Sequence, residues 1–90
     1  MPNISETLFQ FDYQLPTVSA PGGNYVSVNV RGNIAYVAIQ FPILDEVYHY
    51  QGILGQELST EDGYKAFEMC ALNVIAQIDN KIGFDRVMGL

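Results

Sequence analysis

The strongest constraint on the fold is a run from Ile34 to Phe41 that is apolar on both of its strand faces. A strand with two apolar faces is typical of a central strand that is covered on both sides. One cover can be a helix of this chain, and the other must come from other protein, for which a neighbouring subunit is the obvious source. Alternation assigns Ala35, Val37, Ile39 and Phe41 to one face and Ile34, Tyr36 and Ala38 to the other.

A second strand precedes this run and is predicted to pair with it as a hairpin. Val26, Val28 and Val30 alternate with polar residues, which indicates a half-buried strand. The intervening "RGN" supplies a residue that tolerates positive φ in a tight connection. Residues 1–22 carry three of the four prolines and predict an irregular N-terminal arm, with one helical turn near "SETLFQF".

The clearest predicted element is one amphipathic helix that begins at "STED". Ser59 or Thr60 is the expected N-cap, and two acids follow where the helix dipole favours negative charge. Lys81 lies in the last turn, and Gly83 suits the C′ position. The predicted apolar stripe comprises Phe67, Cys70, Ala71, Val74, Ile75 and Ile78, while Glu68, Asn73, Gln77 and Asn80 fall off it.

The remaining segments predict a loop and the start of a further strand. Residues 42–58 are interpreted as a long loop with a short strand near residues 47–50, and residues 84–90 as the beginning of another strand. The order of strands, loop, helix and strand indicates half of an α+β domain, extending over residues 23–90 after the arm.

Composition excludes several classes of partner. Of 90 residues, only four are basic, and the net charge of −6 argues against binding nucleic acid or an anionic membrane surface. A single cysteine cannot form an internal disulfide, and no secretory signal or bilayer-length apolar run is present, which predicts a cytoplasmic protein. With 49% apolar and 16% charged residues, part of the surface is expected to lie against another subunit.

Three stretches in order resemble the first half of a known family. They are "NYVSVNVRGNIAYVAIQFPI", "YQGILGQELSTEDGYKAFEMCALNVIAQI" and "GFDRVMGL". Together they are similar to the reactive-intermediate deaminase family, also called YjgF-type or L-PSP endoribonuclease-type. The likeness is greatest to a subgroup with "CALN" in the first helix and "YTG" before it, which appear here as Cys70–Asn73 and Tyr50–Gly52. The resemblance covers about residues 16–90.

This resemblance implies a chorismate-mutase-like α+β fold, of which the chain holds a part. In the family, a mixed sheet carries two helices on one face, three protomers form a barrel-like trimer, and the pockets lie between subunits. Active members hydrolyse enamine or imine intermediates to 2-oxo acids and ammonia, with no metal or cofactor. The resemblance therefore implies a homotrimer that takes a small carboxylate-bearing ligand.

Family members continue for another half-length beyond the position matched by Leu90. The chain thus resembles an amino-terminal half. A truncated gene product, a fragment, and a short form completed by association are all open explanations.

The resemblance places few ligand-binding residues in this chain. Tyr25 matches the tyrosine of the family's "GPY" stretch, although packing at an interface explains a strand tyrosine equally well. Ala38, Ile39 and Gln40 match the family's "SGQ". Alanine removes the hydroxyl, and isoleucine puts a branched side chain where a bare backbone is expected. The family's arginine and acid lie in the missing half, so no catalytic residue is assigned.

Other reactive side chains receive structural interpretations. His49 has no second ligand or nucleophile at a meaningful spacing and is interpreted as a structural loop residue. Cys70 is expected to behave as a small buried hydrophobe. Arg31, Arg86 and the pair Asp45–Glu46 are interpreted as ordinary solvated charges.

Two functional hypotheses follow. The first is an oligomeric domain of this family that binds a small ligand without demonstrable catalysis. The alternative is an enamine or imine deaminase whose remaining half is supplied elsewhere. Ribonuclease activity is disfavoured by the acidic charge.

Overall fold

A computed structural model describes residues 4–89, which form an α+β arrangement as predicted. Two antiparallel hairpins are followed by one long helix, and no helix within this range is long and apolar enough to cross a membrane. The elements are α1 (Ile4–Gln10), β1 (Val28–Arg31), β2 (Ile34–Val37), β3 (Ile43–Leu44), β4 (Val47–Tyr48), α2 (Thr60–Lys81) and a short 3-10 helix (Phe84–Arg86).

The first hairpin confirms the predicted pairing of two valine-rich strands. Val28 lies opposite Val37 and Arg31 opposite Ile34, so Gly32 and Asn33 form a two-residue turn. Gly32 has a φ of 59°, a conformation that glycine adopts without the strain a side chain would add.

Helix α2 begins at Ser59 with a capping box. The Ser59 hydroxyl accepts a hydrogen bond from the Asp62 amide at 3.1 Å, and the Asp62 carboxylate accepts one from the Ser59 amide at 3.0 Å. The hydrogen bond from the Ser59 amide, followed in effect by the Ser59 side chain, lowers the pKa of the Asp62 carboxyl. At the other end, the Gly83 amide donates to Asp79 O at 3.0 Å with a φ of 86°, as expected for a C′ glycine.

The predicted buried face of α2 is only partly correct, since the most buried residues lie elsewhere. The half-buried residues of the predicted stripe are Cys70, Val74, Ile75 and Ile78. Asn73, Ala76 and Gln77 are the buried residues, whereas Phe67, which belongs to the predicted stripe, is 76% exposed. The amide side chains are buried because they donate to main-chain carbonyls of distant segments, which satisfies their polar groups. Apolar periodicity does not detect such partners.

Helix α2 packs against one face of the first hairpin and leaves the other face open. On the packed side Val28 is buried and Val37 is half-buried. On the other side, Ile34 and Tyr36 are more than half exposed among the described residues. Within this chain, α2 therefore covers one of the two apolar faces of β2, and the face that carries Ile34 and Tyr36 is left uncovered.

The predicted alternation fails beyond the ends of the strands. Val26 is 64% exposed and Ile39 is 62% exposed. Alternation predicts that Val26 shares a face with the buried Val28, and Ile39 with the half-buried Val37. The regular strand pairing ends at Val28 and Val37, so the two-residue period no longer governs side-chain direction there.

The predicted strand over residues 84–90 is also wrong where the structure describes it. Phe84–Arg86 form a 3-10 helix, and the Val87 amide donates back to Phe84 O at 3.1 Å. A strand needs a neighbour for its main-chain groups, and nothing between residues 4 and 89 pairs with this segment. Leu90 lies outside the described residues.

Two shorter elements differ from prediction in length. The strand expected near residues 47–50 is β4, which pairs with an unpredicted β3. Asp45 and Glu46 form the turn between them, both with positive φ. The helical turn expected in the arm is the seven-residue α1.

Candidate functional site

The arm is tied to the C-terminal half of α2 by one long-range hydrogen bond. The buried Gln77 side chain donates from Nε2 to Ser19 O at 3.0 Å. This bond joins residues 58 apart in sequence and holds the segment 18–21 beside the helix. The arm consequently forms one wall of a cavity, with the helix as another.

The larger cavity has a volume of about 460 Å³ and opens widely to solvent. It lies between the segment 18–21, residues 25–28 leading into β1, and the last turns of α2. A smaller cavity shares the arm segment, Tyr25 and Gln77 and extends toward residues 39–41. Both spaces thus meet where the arm crosses α2 and the first hairpin.

Three of the four residues matched to ligand positions border these cavities. Tyr25 lines both, and its hydroxyl accepts a hydrogen bond from the Gly22 amide at 3.1 Å. Ile39 and Gln40 line the smaller one. Ala38 lines neither, and its amide donates to Ser27 O at 2.9 Å.

Gly22 allows the arm to fold closely over the smaller cavity. A β-carbon at this position would lie 3.3 Å from the ring of Phe41 and 3.6 Å from the Tyr25 hydroxyl. A β-carbon here would therefore require the Phe41 ring to move by a few tenths of an ångström, whereas its distance to the Tyr25 hydroxyl is an ordinary contact. The hydrogen bond from the Gly22 amide holds the Tyr25 hydroxyl in place.

The α2 residues on the cavity were not predicted as site residues. Gln77, Asn80 and Lys81 line the larger cavity, although the sequence indicated only off-stripe polar residues and a helix-end cation. Their spacing of three and four residues puts them on one side of the helix. This spacing can be seen in the sequence, but it indicates a site only when the position of the arm beside α2 is known.

The other candidates lie away from the cavities. Burial raises the pKa of the Cys70 thiol, which disfavours the reactive thiolate. The rings of His49 and Tyr50 have centroids 6.4 Å apart. Arg31 donates to Asn29 Oδ1 at 2.8 Å on the exposed hairpin, and Arg86 is exposed in the 3-10 helix. Within residues 4–89, no cluster of three histidine, cysteine or acidic residues could hold a metal ion.

Comparison with known proteins decides the family. The family described as "YjgF/chorismate_mutase-like, putative endoribonuclease" matches residues 6–88. The chain belongs to this family. The resemblance drawn from the three quoted stretches is thereby confirmed.

Relatives of this YjgF-family chain include proteins of known sequence and structure. Protein TCP17 of Trypanosoma cruzi is 34% identical over 85 residues, covering 93% of this chain and 53% of TCP17. A crystal structure of a putative endoribonuclease from Shewanella oneidensis MR-1 is 34% identical with a TM-score of 0.83, covering 89% of this chain and 53% of that one. The protein Atu1372 of unknown function from Agrobacterium tumefaciens is 28% identical with a TM-score of 0.72, covering 87% and 45%.

The chain spans about half the length of the relatives it matches. Their whole-protein properties therefore include contributions from residues with no counterpart here.

Proposed function

We propose that this YjgF-family chain is part of an oligomeric domain that binds a small ligand, and that its own residues do not catalyse a reaction unaided. The main support is the meeting of Tyr25, Ile39 and Gln40 at two adjoining cavities. Tyr25 is 14 residues before the adjacent pair Ile39 and Gln40, so the fold has to bring the two segments together.

The residues that line the cavities argue against catalysis by this chain alone. Neither lining contains a histidine, a cysteine or an acid, so the Ser19 and Ser27 hydroxyls have no base beside them. Ile39 also keeps its branched side chain at the smaller cavity, where the family's active members have glycine. Binding groups are present, but no histidine, cysteine or carboxylate accompanies them.

The open face of the first hairpin supports oligomerisation. Ile34 is 55% and Tyr36 is 56% exposed in this chain, and apolar surface of this kind favours burial against another protomer. A trimer is the assembly implied by the family resemblance. A cytoplasmic location is proposed from the single cysteine, because secreted small domains typically carry several disulfides.

Enamine or imine hydrolysis is the second candidate function. Its support is the coverage of only about half of each relative, since the residues that complete a catalytic site can lie in the other half. The acidic charge of −6 continues to disfavour ribonuclease activity for this chain.

A pyruvate-release assay separates the two candidates. 2-Aminoacrylate is generated in situ, the protein is added, and pyruvate formation is compared with buffer and with heat-denatured protein. We expect the uncatalysed rate at every protein concentration. A rate that increases in proportion to native protein would instead establish the hydrolase.

Ligand binding is tested with 2-oxobutyrate as a small carboxylate-bearing probe in ligand-observed NMR. Tyr25→Phe removes the hydroxyl at the cavities and should weaken binding about three- to tenfold, as expected for one hydrogen bond. Tyr64→Phe is the matched control, because Tyr64 is 73% exposed on α2 and lines neither cavity. Equal binding by both variants would remove Tyr25 from the site.

A further inference from the structure

We propose that α1 of one copy of this chain packs against the open face of the first hairpin in a second copy. The inference rests on the proposed oligomerisation and adds the segment that forms the contact. Every copy then gives one helix to a neighbour and receives one, which is a head-to-tail contact that can close into a ring.

Helix α1 has no packing partner in its own chain. None of its seven residues is buried, and no other helix or strand in the described part of the chain packs extensively against it. Isolated helices shorter than about 12–15 residues are marginal in water even with favourable sequences. A helix of seven residues therefore needs another surface to stabilise it, and this chain does not supply that surface.

The end of α1 is nevertheless well defined. The Tyr13 amide donates to Leu8 O at 2.9 Å, and the Asp12 amide donates to Phe9 O at 3.1 Å. Asp12 has a φ of 60°, at the position where this pair of bonds usually employs glycine. The chain thus ends the helix by local bonds and leaves Phe9 83% exposed in its last turn.

The exposed side of α1 combines an aromatic ring with an acid. Phe9 and Glu6 are three residues apart, which places them on the same side of the helix. Phe11, which follows the helix, is 63% exposed. The one ion pair in the described part of the chain joins Lys65 to Glu61, so Glu6 has no cation beside it. This side of α1 offers apolar area together with one unpaired negative charge.

The open face of the first hairpin carries the complementary groups. Arg31 is paired with Ile34 across the hairpin, and Asn29 is paired with Tyr36, so these four side chains share one face. The Arg31 Nη1 atom donates to Asn29 Oδ1 at 2.8 Å, and no acid of the described residues pairs with the guanidinium. A docked helix can therefore cover Ile34 and Tyr36 while its acid meets Arg31.

The dimensions of the two surfaces agree. Seven helical residues span about 10 Å, and the four-residue strands of the hairpin span about 13 Å. Helix α1 ends at Gln10, nine residues before Ser19, which the Gln77 side chain holds beside α2. A connection of nine residues can extend to about 30 Å, which is enough to reach a neighbouring copy.

Charge favours the hairpin over the other exposed apolar surface. Tyr64 and Phe67 on α2 are 73% and 76% exposed. Glu61 and Glu68 lie three and four residues from Tyr64, and the lysine between these acids is already paired with Glu61. An acidic helix is disfavoured at such a surface. By contrast, residues 13–44 contain no acid and one arginine, so the hairpin attracts α1.

A mixed sample in paramagnetic NMR tests the contact directly. Unlabelled copies with Gln10→Cys and Cys70→Ala carry a maleimide-linked nitroxide on α1 and are mixed with ¹⁵N-labelled copies of the natural sequence. Amides of residues 34–36 in the labelled copies should broaden most. Stronger broadening at residues 64–67 would overturn the hairpin as the docking surface. Broadening of the hairpin only when nitroxide and ¹⁵N are in the same chain would also overturn the inference, because α1 would then cover its own hairpin.

A pair of phenylalanine variants measures what the ring contributes. Phe9→Gln should raise the dissociation constant of the assembly about tenfold or more in sedimentation equilibrium, because a buried ring is lost. Phe67→Gln is the matched control, with a similar exposure of 76% on α2, and should change it less than about twofold. Because α1 has no packing partner in its own chain, Phe9→Gln should leave the urea midpoint of the dilute protein unchanged.

An exchange of charges identifies the polar partners. Glu6→Arg and Arg31→Glu should each weaken association about three- to fivefold, since each places like charges together. Both changes in one chain should return the dissociation constant to within about twofold of the natural value, because the helix of each copy meets the hairpin of another. A double variant that associates no better than the single variants would overturn the pairing of Glu6 with Arg31.

The outcomes separate the inference from the function beneath it. Association that is indifferent to Phe9→Gln and to both charge reversals would overturn the docking of α1 and leave an oligomeric domain. A monomer at every concentration would overturn both the docking and the oligomerisation, while ligand binding is judged separately with the Tyr25 variant.

Discussion

Asn73 is a polar residue at the centre of the structure, only 3% exposed. Its side-chain amide donates to Phe41 O and to Ile43 O, each at 2.9 Å. These bonds bind α2 to the segment that leaves the first hairpin and enters β3. One side chain thus satisfies two carbonyls of a segment about 30 residues away.

Replacing Asn73 should destabilise the fold strongly for its size. Asn73→Ala leaves the buried Ile43 carbonyl without the Asn73 donor and removes one of the two donors to Phe41 O, so we expect a loss of about 1–3 kcal/mol in the free energy of unfolding. Urea denaturation followed by circular dichroism measures this loss. Asn80→Ala, exposed on the same helix, should change the stability by no more than about 0.5 kcal/mol. Similar losses in both variants would show that the two bonds contribute little.

At the scale of the element, the capping box fixes where α2 begins. Two reciprocal bonds between Ser59 and Asp62 satisfy main-chain and side-chain groups at the first turn. Because the pattern involves residues three apart, it can be recognised without knowledge of the rest of the fold.

The Ser59 cap can be tested by removing its hydroxyl. Ser59→Ala should lower the free energy of unfolding by about 1 kcal/mol, because one amide of the first turn loses its acceptor. Thr60→Ala, one residue further on, is the control and should stay within about 0.5 kcal/mol. Thermal unfolding of both variants provides the comparison. An equal effect of the two would contradict the assignment of Ser59 as the cap.

The lowered pKa of Asp62 predicts a pH dependence of stability. The folded pKa lies below the unfolded value of about 3.9, so the charged carboxylate stabilises the fold above that pH. This contribution is lost as the pH falls below about 3.9 and through the folded pKa. The stability gap between the natural chain and Asp62→Asn should therefore be widest near neutrality and narrow in acid. Urea midpoints from pH 2 to pH 7 measure the gap, and a constant gap would contradict the prediction.

For the whole molecule, the surface is larger and the chain less compact than expected for its mass. The accessible surface is 6977 Å², against roughly 5,200 Å² for a typical folded monomer of 10.0 kDa. The radius of gyration is 14.2 Å, against about 12 Å for 90 residues. Exposed apolar side chains account for part of the excess, including Ile34 and Tyr36 on the hairpin and Tyr64 and Phe67 on α2.

We therefore expect this chain to self-associate in solution. Light scattering coupled to size-exclusion chromatography should give a mass above 10.0 kDa that decreases on dilution. Tyr36→Glu places a charge on the open hairpin face and should shift the distribution toward the monomer. Tyr48→Glu is the control, since Tyr48 has a similar exposure of 47% but belongs to the second hairpin. A compact, monodisperse monomer at all concentrations would contradict the prediction.

Local patterns predicted most of the elements correctly. The β1–β2 hairpin, its Gly32 turn, the Ser59 cap and the Gly83 end of α2 all follow from interactions within about nine residues. Short-range hydrogen bonds and φ preferences depend little on the surrounding fold, so the residues that form them can be recognised from the amino-acid sequence. The family was likewise recognisable from three stretches of sequence.

The orientation of α2 and the set of residues at the candidate site could be found only from the tertiary structure. Asn73 and Gln77 are buried because carbonyls of Phe41, Ile43 and Ser19 lie beside them, at separations of 30 to 58 residues. Lys81 joins Tyr25 at one cavity for the same reason, since the arm has to be held against the helix first. A side chain's partners across such distances depend on how the whole backbone is placed, and no local periodicity carries that information.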